Sequence, residues 1–446
     1  MCLALYISRA LSGPSIFNIP YWNGLGILCF YVSYAGLGIR FSNGISLEAE
    51  LILSLYLWFS VISFAIGEII SGGFYRKASF KLQSFLQQPR SIPPLPNLLI
   101  FIFIFISLVF FVVLTRGNVI LLFTSSVELK FERLNSLMNK DPILLNLDQI
   151  VLALSIICSG WAWLEADRNH IPIAKLLVVL FFSLLYVFST GSRSPLISFV
   201  MQFVIVSRFI QFRIPAIARF LRNRLMLAAA LLGAVLFLIF VTNQRIQFEK
   251  LDVNVFLTYF SATSFGAVED FLASDNPVLF LLGTLVSYSS STFNNFILRY
   301  QEIGLLNPSF GYKFFFFYIA AIQILLPGMG ADFFRDWKSI STFNMSHLES
   351  FSMGSGQWST SYGDLIWDYG VYLTFILVFL WGIWAGFLVG KARNKPSFLS
   401  IMWLIIVTEF SLLPLVNPFQ SLYVHYAIII LLLLGAFYSR VSLRRP

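Results

Sequence analysis

The chain is dominated by apolar stretches about as long as a membrane-spanning helix. Its 446 residues are 58% hydrophobic and 11% charged, whereas an average soluble domain carries about 25% charged residues. A helix of about 20 apolar residues spans the hydrocarbon core of a bilayer. The sequence therefore predicts an all-α polytopic membrane protein that forms a single transmembrane domain over residues 1–446. The clear candidate spans are residues 21–39, 51–70, 95–114, 147–164, 171–188, 196–212, 225–241, 365–389, 398–415 and 422–438.

Two further apolar stretches are weaker candidates. They are residues 278–297 and 312–326, and the first contains the polar runs Ser-Tyr-Ser-Ser-Ser-Thr and Asn-Asn. That composition suits a span, a half-helix or a helix lying on the membrane. The chain has about twelve spans if both stretches cross and about ten if neither does, and twelve is the preferred number. A crossing by 278–297 would place Arg299 in the cytoplasm, whereas without a crossing Arg299 could join the external cations.

The basic residues predict the orientation of the chain. Lysine and arginine are concentrated after the second, fourth and sixth spans, after span 365–389 and at the C-terminus. Such clusters remain on the cytoplasmic side of a membrane, so both termini are predicted to be cytoplasmic. The basic clusters that set the orientation account for the net charge of +9, so the charge does not imply a nucleic-acid partner. Two long segments then lie outside, residues 242–277 and residues 327–364.

One short external gap has the residues of an anion site. It joins the fifth and sixth spans and contains Ser192, Arg193 and Ser194 directly before Pro195. Proline suits the first position of a helix, and the free N–H groups of a helix start attract an anion. A guanidinium offers phosphate two parallel donors. The gap therefore predicts a phosphate site, with membrane-interface anchoring of Arg193 as the alternative.

The long external segments supply the remaining candidate groups. Arg245 opens segment 242–277 as a second cation on the same face. His347 is a histidine of loop 327–364 that can accept a proton near neutral pH. Glu349 and Asp364 are rival bases in that loop.

Other features concern aromatic and acidic side chains. The tryptophans of this region include Trp358 and Trp367, whose ring faces suit either sugar stacking or a membrane-interface belt. Glu409 lies in a late span and is a functional candidate by default, with a hydrogen-bonded acid near the membrane interface as the favoured alternative. Glu68 and Glu165 lie near cytoplasmic ends of spans, where they are expected to extend toward the headgroups.

The sequence contains no metal-binding or nucleotide-binding pattern. The three cysteines, Cys2, Cys29 and Cys158, lie far apart and form no metal-ligand spacing with the scarce histidines. There is no glycine-rich phosphate loop and no dinucleotide-binding motif. No cofactor is therefore expected.

Two stretches together resemble a known family. Residues 190–194, Thr-Gly-Ser-Arg-Ser after an apolar span, resemble the motif of bacterial O-antigen polymerases, the Wzy family of oligosaccharide repeat-unit polymerases. Residues 353–370 resemble the end of that family's large periplasmic loop, where a Gly-Glu-x-Tyr-x-Asn-Phe-Gly type run leads into a span. The chain departs from that run at four positions, with Asp364 for Glu, Trp367 for Tyr, Asp368 for Asn and Tyr369 for Phe.

The resemblance implies a fold, a location and a reaction. The fold resembles that of the lipid-linked glycosyltransferases called GT-C, in the bacterial inner membrane with periplasmic loops at 242–277 and 327–364. The reaction transfers a growing glycan from undecaprenyl pyrophosphate to the sugar of a new lipid-linked repeat unit, with neither metal nor nucleotide. The expected partners are that lipid-linked oligosaccharide and membrane lipids, and a chain-length regulator protein is considered as a further partner.

The resemblance also implies roles for the candidate residues. Pyrophosphate binding is assigned to a first group, acid–base chemistry to a second and glycan contact to a third. These groups are Ser192, Arg193, Ser194, Arg245 and Arg335; then His347, Glu349 and Asp364; then Trp358 and Tyr362.

Two other functions are compatible with parts of the pattern. An O-antigen ligase, which moves the glycan to the lipid A core, would use nearly the same site. A flippase or secondary transporter belongs to a different class and needs ionisable residues along a path and usually repeat symmetry. The polar groups here are predicted to lie on one face in loops, which favours chemistry at a surface.

Overall fold

The computed structural model describes residues 2–12, 18–37, 39–41, 46–71, 95–115, 142–168, 173–189, 202, 262–264, 266–303, 361–394, 397–409 and 422–442. These residues are predominantly helical, which confirms that part of the prediction. The helices are α1 (Cys2–Ser12), α2 (Ile19–Gly36), α3 (Leu47–Ile70), α4 (Asn97–Thr115), α5 (Pro142–Arg168), α6 (Ile173–Ser189), α7 (Glu269–Leu272), α8 (Pro277–Gln301), α9 (Ser361–Asn394), α10 (Phe398–Glu409) and α11 (Leu422–Ser442).

Among the described helices, two have the length and hydropathy of membrane spans. They cover Leu47–Ile70 and Leu365–Ala392 and correspond to the predicted spans 51–70 and 365–389. Shorter apolar helices fall on five other predicted spans, whereas residues 225–241 and 312–326 lie outside the described part of the chain.

Several described helices expose apolar side chains. On α4 the exposed side chains recur at helical spacing from Leu98 to Val112, and in water they would form a continuous apolar patch. Helices α3 and α9 also carry exposed leucine, isoleucine and phenylalanine side chains. The exposed residues of α4 are Leu98, Phe101, Ile102, Phe105, Leu108, Val109 and Val112.

The chain divides into two units, and each is described by itself. The first unit comprises residues 1–68, 251–387 and 410–421, and the second comprises residues 69–250, 388–409 and 422–446.

In the first unit, α1 and α2 are joined by a buried hydrogen-bonded corner. The Ser8 hydroxyl donates to Asn18 Oδ1 at 2.8 Å, and Asn18 Nδ2 donates to the Ser8 carbonyl at 2.9 Å. Asn18 Oδ1 also accepts from the Tyr21 N–H at 3.3 Å, so Asn18 caps α2. Pro20 in the first turn needs no such acceptor, which explains why the helix begins here.

Helices α3 and α9 pack closely in parallel through small residues. A Cβ atom on Gly382 would overlap the Ser63 side chain, and one on Gly386 would overlap the Phe64 carbonyl oxygen. The two helices run parallel, because Phe59 contacts Phe379 and, further along both helices, Phe64 lies against Gly386. Parallel packing places the N-terminal ends of α3 and α9 on the same side of the first unit.

Helix α9 is interrupted near its start by Gly370. This residue has φ 72° and ψ 172°, a conformation that glycine adopts without the clash of a Cβ atom. The Thr374 hydroxyl donates to the Gly370 carbonyl at 2.7 Å, and the Tyr56 hydroxyl of α3 donates to the Val371 carbonyl at 3.0 Å. The break is therefore held by side chains on both helices.

A short antiparallel strand pair departs from the all-α prediction. Strand β1 (Arg40–Phe41) follows α2 and pairs with β2 (Ala262–Ser264). Directly after β2, the Ala267 N–H donates to the Leu37 carbonyl at 3.0 Å. These bonds attach the second half of segment 242–277 to the connection between α2 and α3, and both regions are predicted to lie outside the membrane on the same face.

Helix α8 extends beyond the weak candidate span 278–297, and its last turn contacts α3 and α9. Tyr300 forms a side-chain hydrogen bond with Glu48, in the first turn of α3. The Arg299 guanidinium carbon lies 4.8 Å from the centroid of the Trp367 ring in α9. Arg299 therefore lies beside the N-terminal parts of α3 and α9.

Two glutamates expected to extend toward the headgroups are buried instead. In the first unit Glu68 is fully buried, and in the second unit Glu165 is 3% exposed. Glu165 Oε2 accepts from the Leu95 N–H at 2.8 Å and lies 3.8 Å from Lys175 Nζ. Lys175 Nζ also donates to the Leu95 carbonyl at 3.0 Å. Burial of Glu165 is thus offset by a cation and a backbone donor, and these bonds fix Leu95, two residues before α4 begins.

Candidate functional site

Most of the predicted site residues fall outside the part of the chain that the structure describes. For Asp364, in the first turn of α9, only the backbone is described, and Tyr362 is described with its side chain. The roles of the remaining residues stay predictions. These residues are Ser192, Arg193, Ser194, Arg245, Arg335, His347, Glu349 and Trp358.

Tyr362 belongs to a buried polar cluster of the first unit. Its side chain is 3% exposed, and its hydroxyl forms hydrogen bonds with the side chains of Asn23 in α2 and Ser60 in α3. Its ring stacks on Tyr56, with centroids 5.5 Å apart and an interplanar angle of 19°. We refer to Asn23, Tyr56, Ser60 and Tyr362 as the polar cluster. One face of the Tyr362 ring is covered by Tyr56, and its hydroxyl is already bonded to Asn23 and Ser60.

Helix α8 adds aromatic and cationic side chains next to the polar cluster. Phe296 contacts Tyr56 edge-on at 6.5 Å between ring centroids. Three residues later, Arg299 is 5% exposed and faces Trp367, which is 2% exposed. A cation over a tryptophan ring is worth about 2 kcal/mol or more when both are desolvated, so this contact orders the guanidinium.

The cation of Arg299 lies in a region that holds a buried acid. Asp368 follows Trp367 in α9 and is fully buried. Burying a charge costs free energy unless it is paired or hydrogen-bonded. Within membrane proteins, buried charges mark binding sites or proton paths. The start of α9 therefore concentrates ionisable and aromatic groups at the end of the long loop 327–364.

Sequence reasoning identified only part of this arrangement. It left the position of Arg299 conditional on the crossing of 278–297, and it treated Trp367 as one of several aromatic platforms. It overlooked Asn23, Ser60 and the burial of Asp368. The available signal was the presence of polar residues inside apolar helices, which is a functional indicator in membrane proteins.

Elsewhere, one residue of the predicted span 196–212 is described. In the second unit Gln202 is 1% exposed. Its amide oxygen accepts from the Ser159 hydroxyl at 3.1 Å, and its amide nitrogen donates to the Ile156 carbonyl. A buried glutamine needs such partners, and they show that residue 202 packs on α5.

No protein-family model matches the chain, and no curated protein or solved structure matches it either. Its activity is therefore inferred from its own residues. The two features that bear on activity are the motif around Arg193 and the buried polar and cationic groups at the start of α9.

Proposed function

We propose that this protein is a periplasmic-face glycosyltransferase that polymerises undecaprenyl-pyrophosphate-linked oligosaccharide repeat units into O-antigen or a related polysaccharide. The proposal rests chiefly on one observation, the Thr-Gly-Ser-Arg-Ser run at 190–194 in a short gap between apolar stretches. We place the protein in the bacterial inner membrane with both termini in the cytoplasm and a GT-C-like arrangement of helices.

The contacts of α8 favour about ten membrane crossings over about twelve. Its last turn bonds to Glu48, and the segment before it bonds to Leu37 at the end of α2. The last turn of α8 therefore lies beside the start of α3, which is predicted to be external, and the segment that precedes α8 is predicted to be external as well. A helix that begins and ends on the external side does not cross the bilayer.

The proposed chemistry needs a cationic site for the leaving group. As the bond between the donor sugar and pyrophosphate breaks, negative charge builds on the phosphate oxygens. Fixed cations and helix-start N–H groups aimed at that charge stabilise the transition state. We assign this role to Arg193 with Ser192 and Ser194, supported by Arg245 and Arg335.

The acceptor hydroxyl must lose its proton as the new glycosidic bond forms. His347 is our choice of base because an imidazole accepts protons near neutral pH, with Glu349 and Asp364 as alternatives. Trp358 and Tyr362 are assigned to glycan contact. Arg299 and Trp367 support the placement of this chemistry, because they bring a desolvated cation to the N-terminal part of α9.

Deletion of the gene tests the proposal against the ligase and flippase alternatives. We expect the deletion strain to make lipopolysaccharide capped by a single repeat unit, and the wild-type gene to restore the ladder of long chains. Long chains at normal abundance in the deletion strain would contradict the polymerase assignment. Complete loss of even the single-unit cap would indicate a ligase or a flippase instead. Electrophoresis of extracted lipopolysaccharide distinguishes these outcomes.

A further inference from the structure

The contacts of Tyr362, in the first turn of α9, are inconsistent with a straight helix. Where α9 packs in parallel on α3, the Phe379 ring contacts the Phe59 ring. If α9 continued in a straight line toward its N-terminus, the same register would place Tyr362 about one turn before α3 begins. The Tyr362 ring instead stacks on Tyr56, which lies in the third turn of α3.

Tyr56 contacts two rings of α9 that are 13 positions apart in the sequence. Its ring centroid lies 5.5 Å from that of Tyr362 and 4.4 Å from that of Phe375, so these two rings are at most about 10 Å apart. In a straight helix their Cα atoms would be about 20 Å apart. The chain therefore turns back between them, at the non-helical residue Gly370. We refer to residues 361–369 as the half-helix.

The half-helix is buried inside the first unit. Its side chains at Tyr362, Ile366, Trp367 and Asp368 are all buried, and these positions are distributed around the helix axis. A helix that is buried on all sides lies in the core of a protein rather than at its surface. A break in a helix at membrane depth also requires such surroundings, because lipid cannot satisfy the backbone groups that the break frees.

The Tyr362 hydroxyl shows how deep the half-helix reaches. It forms hydrogen bonds with the side chains of Ser60 in α3 and Asn23 in α2. Ser60 is close to the middle of α3, about 20 Å along the helix axis from its first residue. Helix α3 has the length and hydropathy of a membrane span. The hydroxyl of Tyr362 therefore lies near the middle of a predicted span, although the sequence places this residue in an external loop.

We infer that residues 361–369 form a re-entrant half-helix, which lies within the membrane without crossing it, and that the crossing helix begins after Gly370. Residues 371–392 are still about 33 Å long, which is enough to span the hydrocarbon core. The predicted external loop 327–364 then ends inside the membrane. The inference goes beyond the proposed function, because it concerns the path of the chain and does not depend on the reaction.

Cross-linking of paired cysteines in the full-length protein tests this path. In a background whose native cysteines are replaced by alanine, a short bifunctional maleimide is expected to join Ser60→Cys to Tyr362→Cys. The control pair is Phe59→Cys with Phe379→Cys, whose contact is the same with or without the half-helix. A straight α9 would separate Ser60 from Tyr362 by about 25 Å. Linked peptides for the control pair alone, detected by mass spectrometry, would overturn the inference.

Chemical labelling tests the burial of the half-helix in the membrane-embedded protein. A membrane-impermeant maleimide added to both sides of the membrane is expected to label Tyr362→Cys only after denaturation. Leu47→Cys, at the exposed start of α3, is the control that reacts before denaturation. In a straight α9, Tyr362 would lie beyond the start of α3 and would react as well. Equal labelling rates for the two cysteines would contradict the re-entrant path.

Conservative variants test the same contact without cysteine chemistry. Tyr362→Phe and Ser60→Ala each remove one partner of a single hydrogen bond, so the double variant should lose less thermal stability than the two single losses combined. Residues more than about 10 Å apart normally give additive effects. Ser63→Ala is the control and should be additive with Tyr362→Phe, because the Ser63 hydroxyl donates to the Ser60 carbonyl of its own helix.

Full additivity of Tyr362→Phe with Ser60→Ala would overturn the inference. None of these three measurements reads glycan transfer. Loss of the polymerase assignment would therefore leave the half-helix in place, and loss of the half-helix would leave the polymerase assignment in place.

Discussion

When the Arg193→Ala variant is expressed in the deletion strain, we expect lipopolysaccharide capped by a single repeat unit and no long chains. Removing one preorganised donor from a site that stabilises developing negative charge slows catalysis on the order of 10²-fold or more. Polymerisation competes with transfer of single units, so a loss of that size removes long chains. The measurement is the lipopolysaccharide ladder at matched membrane abundance of the protein.

Two further variants show whether the guanidinium matters beyond its charge. Arg193→Lys keeps the cation but loses the two parallel donors, and we expect short chains at reduced abundance. Arg219→Ala removes a cation from the loop after the sixth span, which is predicted to be cytoplasmic, and should leave the ladder intact. A normal ladder with Arg193→Ala, or an equal loss of long chains with Arg219→Ala, would show that Arg193 acts only in topology.

Gly386→Ala is expected to destabilise the contact between α3 and α9 severely. The added Cβ would overlap the Phe64 carbonyl oxygen and would lie 2.9 Å from the Phe64 carbonyl carbon. These are backbone atoms, so the helices must separate rather than a side chain rotate. Overpacking costs about 1–3 kcal/mol, and occasionally more. Thermal unfolding of the purified protein in detergent measures the loss.

Gly435→Ala in α11 is the matched control for this substitution. At Gly435 the nearest atom to an added Cβ is Leu399 Cδ1 at 3.8 Å, an ordinary contact distance. Alanine is favoured over glycine in a helix by up to about 1 kcal/mol, so the control should melt at the same or a higher temperature. Similar melting temperatures for Gly386→Ala and wild type would contradict the close packing of α3 and α9.

The helices themselves were largely predictable from the sequence. Hydropathy identified residues 51–70 and 365–389, because a helix of that length must be apolar to cross a bilayer. The pairing of these helices was not predictable, since Phe59 and Phe379 are far apart in the chain and no local pattern links them. Nor was the pairing of β1 with β2, which involves only two and three residues.

The environment of individual polar residues was the least predictable part. Glu165 was expected to reach the headgroups, yet the Leu95 N–H and Lys175 provide partners that allow it to be buried. For Arg299, composition alone left the direction of α8 undecided, and its contact with Trp367 placed it at the start of α9. In each case the deciding partner comes from a distant element, which single-sequence patterns do not reveal.

Glycan elongation by the purified protein is the most direct test of the central claim. The protein is reconstituted in liposomes with undecaprenyl-pyrophosphate-linked repeat units, a chelator and no nucleotide sugar. The account predicts products longer by whole repeat units, with one undecaprenyl pyrophosphate released for each unit added. Absence of elongation by folded wild-type protein, or elongation only when a nucleotide sugar is supplied, would contradict it.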